Sequence, residues 1–244
     1  MLEVNGALTA HRRIAARAKR RWHDELVAHP TTHAWVLNLY RAGEHHPATV
    51  DDYFPVAHAP AGLREQLASH RDQEAMHARL YAGAVERLHE ELEDFSGLDV
   101  FNVAIREHTP AGFHIHASDA KDVRDHKLAH FLAHAHFLEE RIARSLELHV
   151  DACLRAGKHD VARAVQRVLD DEGEHARYTR AAVFDVVPKA TAYAILDVHR
   201  RGEARANLAF SARQVRSHLA RTSSPNAQLW RFCAYVMEEA VAHV

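Results

Sequence analysis

Apolar positions in this chain recur three and four residues apart, and no stretch alternates convincingly with period two. Gly and Pro are scarce and fall between long runs rich in Ala, Leu, Arg and Glu. The pattern predicts an all-α protein. A first helix runs from about Ala7 to Ala28 and stops before Pro30. Thr31 or Thr32 caps a second, "THAWVLNLYRAGEHH", which Pro47 ends. "PATVDDYFPVAHAP" is a connection holding one turn of helix. Pro60 then opens a third helix that continues to about Asp94. "FSGLDVFNVAIREHTPAGFHIHASD" carries Gly97, Pro110 and Gly112 and reads as a long crossover. Ser118 caps a long helix reaching about Ala156, and another follows from about His159 to Val187. One more covers about Thr191 to Arg221. Ser224 as N-cap and Pro225 at the first position start the last. No composition break divides the chain, so residues 1–244 are expected to form one domain. Its bundle core is expected at about 31–187, with additional helices at 7–28 and 191–243.

On helical wheels of about 100° per residue, two polar pairs fall on inward stripes. Glu74 and His77 share a face with Leu67, Tyr81, Val85 and Leu88; Glu172 and His175 share one with Val161, Val165, Val168 and Val183. A buried carboxylate beside a buried imidazole is costly unless it is paired or binds a metal. In "FLEER", Glu139 lies near the centre of the stripe made by Leu128, Phe131, Ala135, Leu138, Ile142 and Leu146, while Glu140 points away. Glu139 precedes Glu172 by 33 residues, and Glu44 precedes Glu74 by 30. A glutamate followed about thirty residues later by Glu-x-x-His is therefore stated twice. This is the pattern of a repeated antiparallel helix pair.

On "RAGEHH", "EAMH", "FLEER" and "DDEGEH", the chain resembles the ferritin-like di-iron carboxylate superfamily over roughly residues 31 to 187. The second half looks most like the O2-activating, hydroxylase- or oxygenase-type members. The resemblance implies a ferritin-like four-helix bundle. It also implies six metal ligands, Glu44, Glu74, His77, Glu139, Glu172 and His175, with Glu74 and Glu172 able to bridge. Glu44 departs from the family pattern by lying three residues before Pro47, and Glu25 is the fallback for that position. His70, four residues before Glu74, is either a seventh ligand or a supporting or solvated histidine. Tyr81 and Tyr178, one turn beyond the two histidines, are redox or hydrogen-bonding neighbours or plain core.

The ligand types suit two Fe ions, or Mn, better than a soft thiolate metal. The implied activity is O2-dependent oxidation of a small organic substrate with an external electron donor. The alternatives are a ferroxidase or iron-handling protein, a manganese catalase-like enzyme, an RNA-modifying hydroxylase, and a non-catalytic helical interaction module. Acidic and basic residues nearly cancel, with a formal net charge of −2, so no overall field favours nucleic acid or membrane. The basic run "HRRIAARAKRRWH" reads as a solvated helix face rather than an RNA contact. Two cysteines in no C-x-x-C spacing argue for a reducing compartment. No window reaches the length of a membrane span, and the N-terminus has no signal-peptide core. A cytoplasmic protein, monomeric or homodimeric, is expected. The 23 histidines are far above ordinary usage. His126, His130 and His134, spaced by four, form a half-exposed stripe.

Overall fold

A computed structural model describes residues 2–50, 53–95, 105, 107–110 and 114–244, with backbone alone for residues 2–13. The basic residues at 11–13 and most of the predicted crossover therefore lie outside the described side chains or residues. Among the described residues there are seven α-helices and no strand. They are α1 (Leu2–Ala28), α2 (Pro30–Thr49), α3 (Ala61–Arg87), α4 (Lys121–Arg155), α5 (His159–Val186), α6 (Lys189–Arg221) and α7 (Ala227–Val241). A short 3-10 turn, Val56–His58, is the one turn expected before α3.

The helices are placed as the periodicity predicts, but several of their ends are not. Pro47 does not end α2; it lies inside the helix, which continues to Thr49. Thr31 and Thr32 do not cap it. Pro30 takes the first position, and Thr32 Oγ1 donates back to the carbonyls of Leu26 and His29. Helix α3 stops at Arg87 rather than near Asp94, with His89 just beyond it at φ 57. Ser118 is not a cap either, since α4 begins after Ala120. Ser224 and Pro225 precede α7 without starting it; Ser224 Oγ accepts the Asn226 N–H at 3.1 Å. Short polar side chains satisfy nearby backbone groups in several ways, and local sequence does not choose among them.

The packing is that of a helical bundle. Helices α2 and α3 form one pair and α4 and α5 another, α3 lies against α5, and α6 lies against α4 and α7. The turn between α4 and α5 is three residues long. Gly157 adopts φ 71 there, the left-handed conformation a side chain resists, so the chain reverses at once. Helix α6 approaches the crossover closely at Gly202: a Cβ there would lie 2.7 Å from the His108 carbonyl oxygen.

Three apolar clusters fill the interior. One contains Leu37, Tyr81, Val85, Leu146, Val161, Val165 and Val168. A second contains Phe54, Leu63, Leu67, Leu128, Phe131, Leu132 and Val183. A third joins Trp22, Leu26, Trp35, Val215 and Trp230. Helices α3, α4 and α5 each contribute to the first two, and between those contributions each buries charged or imidazole side chains. In α3 they are His70, Glu74 and His77; in α4, Glu139; in α5, Glu172 and His175. A buried polar band thus lies between two apolar layers. Each fully buried Leu, Val or Phe in those layers contributes roughly 1.5–3 kcal/mol, which is what holds so many charged groups away from water.

Candidate metal centre

Seven side chains converge in that band. Glu44, Glu74, His77 and Glu172 form one group, and His70, Glu74, Glu139 and His175 another; within each, one donor atom per residue lies within 4.8 Å of all the others. Glu74 belongs to both, and all seven residues are buried. These groups could hold metal ions. The structure brings all six sequence-predicted residues together and places His70 with them. Glu44 sits inside α2 because the helix continues past Pro47. Glu25 is elsewhere: it accepts hydrogen bonds from Asn226 Nδ2 at 2.7 Å, Trp230 Nε1 at 2.8 Å and the Ser224 hydroxyl, tying α1 to α7. Glu140 faces outward and pairs with Arg144 at 3.1 Å.

The contacts cross between helices. His77 Nδ1 lies 3.5 Å from Glu44 and 3.3 Å from Glu172. His175 Nδ1 lies 3.0 Å from Glu172 and 3.7 Å from Glu74. His70 Nε2 lies 3.1 Å from Glu74 and 3.4 Å from Glu139. The His70 and His175 rings stack with centroids 3.5 Å apart.

Each imidazole turns one nitrogen inward and has the other held from outside. Asp171 Oδ2 lies 3.1 Å from His77 Nε2, Gln73 Oε1 lies 2.9 Å from His175 Nε2, and Tyr178 Oη lies 2.7 Å from His70 Nδ1. When these outer nitrogens carry the protons, the inner ones present lone pairs. Asp171 and Gln73 were missed by the sequence reading. Their only signal is position, since each directly precedes a candidate ligand glutamate. Tyr178 is the hydrogen-bonding neighbour. Tyr81 is buried, with its hydroxyl unpartnered and its ring 5.4 Å from Tyr40. The stripe of His126, His130 and His134 belongs to neither group; His130 pairs with His199 of α6 at 3.0 Å.

Two observations test whether the residues fit a metal pair. Four inward atoms, His70 Nε2, Glu74 Oε1, His77 Nδ1 and Glu172 Oε1, are buried without a properly directed hydrogen bond. Orphaned buried polar atoms on this scale call for an ion or another partner. The electrostatics agree. Burial pushes Glu74 and Glu172 well above the usual carboxylate range, and neighbouring carboxylates push the same way. Burial would depress His77, but the Glu172 and Glu44 carboxylates outweigh it and raise this imidazole to about 10. Without a cation, protons on these groups offset the crowded negative charge; divalent ions would replace them. Burial depresses His175 to about 3, leaving it neutral and ready to ligate. The donor set fits.

A cavity of about 920 Å³ adjoins the band. Glu44, His70, Glu74 and Glu139 form part of its wall; Tyr53, Phe54, Ile115, Phe131, Leu138 and Ile142 form an apolar part. Among the described residues, no helix is long and apolar enough to cross a membrane. Compared with protein-family models, with curated proteins and with solved structures, the chain matches none of them.

Proposed function

We propose that the chain is a non-haem carboxylate oxidoreductase of ferritin-like architecture, holding two Fe ions, or two Mn, and using O2 to oxidise a small organic substrate. The observation that carries this reading is the opening of the two donor groups onto a largely apolar cavity. Glu44, His77 and Glu172 would serve one ion and His70, Glu139 and His175 the other, with Glu74, which belongs to both groups, able to serve either. When bound, such a pair supplies redox equivalents and open positions for O2 and substrate. The chain's own residues do the rest. Asp171, Gln73 and Tyr178 orient the imidazoles. Phe54, Phe131, Leu138 and Ile142 exclude water and give an apolar substrate a surface to lie on beside the ligands. Incorporating one oxygen atom and releasing the other as water takes two electrons from the substrate and two from an external donor.

A ferroxidase would use the same ligands but has no need of an organic-sized cavity, so the cavity favours oxidation of a substrate. The test is metal content after anaerobic purification, then reaction of the reduced Fe(II) form with O2. Two metals per chain and limited turnover in excess Fe(II) are expected. A metal content near zero in chelator-free protein would sink the reading. A large soluble assembly that retains iron in great excess over chains would replace it with iron storage.

A further inference from the structure

A second cluster of metal-ligating side chains lies outside the carboxylate centre. We propose that His33, His149 and Cys153 form a separate site for a thiolate-binding divalent ion such as Zn(II), a three-residue donor set beside which His23 stands as the neighbouring imidazole. His33 stands in the first turns of α2, while His149 and Cys153 are one turn apart on a single face of α4. All three are fully buried, and their donor atoms lie within 4.8 Å of one another.

The spacing suits a tetrahedral ion. His33 Nε2 is 3.0 Å from His149 Nε2 and 3.6 Å from Cys153 Sγ. Metal–nitrogen bonds of about 2.05 Å and metal–sulfur bonds of about 2.3 Å at tetrahedral angles give edges of about 3.4 Å and 3.6 Å. Seating an ion therefore needs an opening of only a few tenths of an ångström between the two imidazoles. Two nitrogens facing each other at hydrogen-bond distance share one proton at most, and an ion would take both lone pairs. Tyr40 Oη, 3.5 Å from His149 Nδ1, is placed to accept a hydrogen bond from the Nδ1–H and keep Nε2 turned inward.

His23 is 5% exposed, its Nδ1 has no hydrogen-bond partner, and its ring stands edge-on to His149 with centroids 5.7 Å apart. Lys158 Nζ lies 3.4 Å from His33 Nδ1. A metal on Nε2 puts a proton on Nδ1, so Lys158 has to turn away, which its half-buried place in the turn after α4 allows. A thiolate with imidazoles prefers softer ions than a carboxylate set does, so the two sites select different metals. None of the three core donors lines the large cavity. The ion's role is therefore to clamp α2 to α4 rather than to meet substrate.

Titration of the metal-free full-length chain with Co(II) alone tests the site without any assay of oxidation. The wild type should develop a near-ultraviolet thiolate charge-transfer band that Zn(II) abolishes. Cys153→Ala should lose the band completely and bind one equivalent of Zn(II) less, while Cys233→Ala keeps both. If Cys153→Ala fails to fold, as judged by far-ultraviolet circular dichroism, His149→Asn decides by the same loss. No band in the folded wild type, or a band that survives in Cys153→Ala, overturns the proposal and leaves a hydrogen-bonded core network. The carboxylate ligands give no thiolate band, so this outcome is independent of theirs.

Discussion

Replacing Asp171 with alanine removes the carboxylate that lies 3.1 Å from His77 Nε2. His77 is fully buried, and with that carboxylate gone the ring is free to rotate its inward nitrogen out of line. Removing such an outer partner typically lowers metal affinity 10- to 100-fold, or about 1.4–2.7 kcal/mol. Mn(II) is a suitable probe because it stays divalent in air on the time scale of a melt. At a hundred times its Kd, one ion stabilises the wild type by about 2.7 kcal/mol. In a chain of this size that raises Tm by about 5–11 °C. At the same Mn(II) concentration the variant is left with about 0.4–1.4 kcal/mol, so its Tm gain falls to half or less. Each protein is compared with its own metal-free melt. This cancels the about 1–3 kcal/mol that an unsatisfied His77 nitrogen itself costs. Asp171→Asn keeps an acceptor oxygen and should fall between the two. An Mn(II)-induced gain in Asp171→Ala equal to that of the wild type would refute the positioning role. No gain in either protein would refute a buried metal site altogether.

Glu139→Ala should abolish binding of the second metal, while Glu140→Ala leaves the stoichiometry unchanged; the reverse result would contradict the burial of Glu139. The raised values of Glu74, Glu172 and His77 mean that metal binding displaces protons, so affinity should rise with pH towards the His77 value of about 10; calorimetry in buffers of different ionisation enthalpy should detect proton release, and finding none would contradict the assignment. In the metal-free protein the stabilising contribution of Glu172 is complete below the ordinary glutamate range and is lost as pH rises through its raised folded-state value; Glu172→Gln should therefore raise metal-free Tm at pH 7 while abolishing metal binding, and a lowered Tm would count against this electrostatic account. Gly202→Ala should destabilise the chain by about 1–3 kcal/mol, read as a lower denaturation midpoint, because its Cβ meets the His108 backbone oxygen; an unchanged midpoint would show that this contact yields easily.

Periodicity and residue chemistry made the helices and most of the candidate centre legible in advance. Glu74 with His77 and Glu172 with His175 share inward stripes with Leu and Val, and a helix that must bury one face buries whatever lies on it. The same phase argument separated Glu139 from Glu140. It failed at helix ends, where Thr32, Ser118 and Ser224 each had several backbone groups within reach and only the surrounding packing chose among them. It was weakest in α2, where His33 to Leu39 are all buried and no stripe exists to give a phase. Only the tertiary structure continued α2 through Pro47, carried Glu25 away to α7, and set His70 against both Glu74 and Glu139. Asp171 and Gln73 gained a role only when α3 and α5 came together, because each reaches a histidine of the opposite helix about a hundred residues away. A residue's own helix determines the face it occupies. What waits across that face depends on long-range packing, which no local pattern encodes.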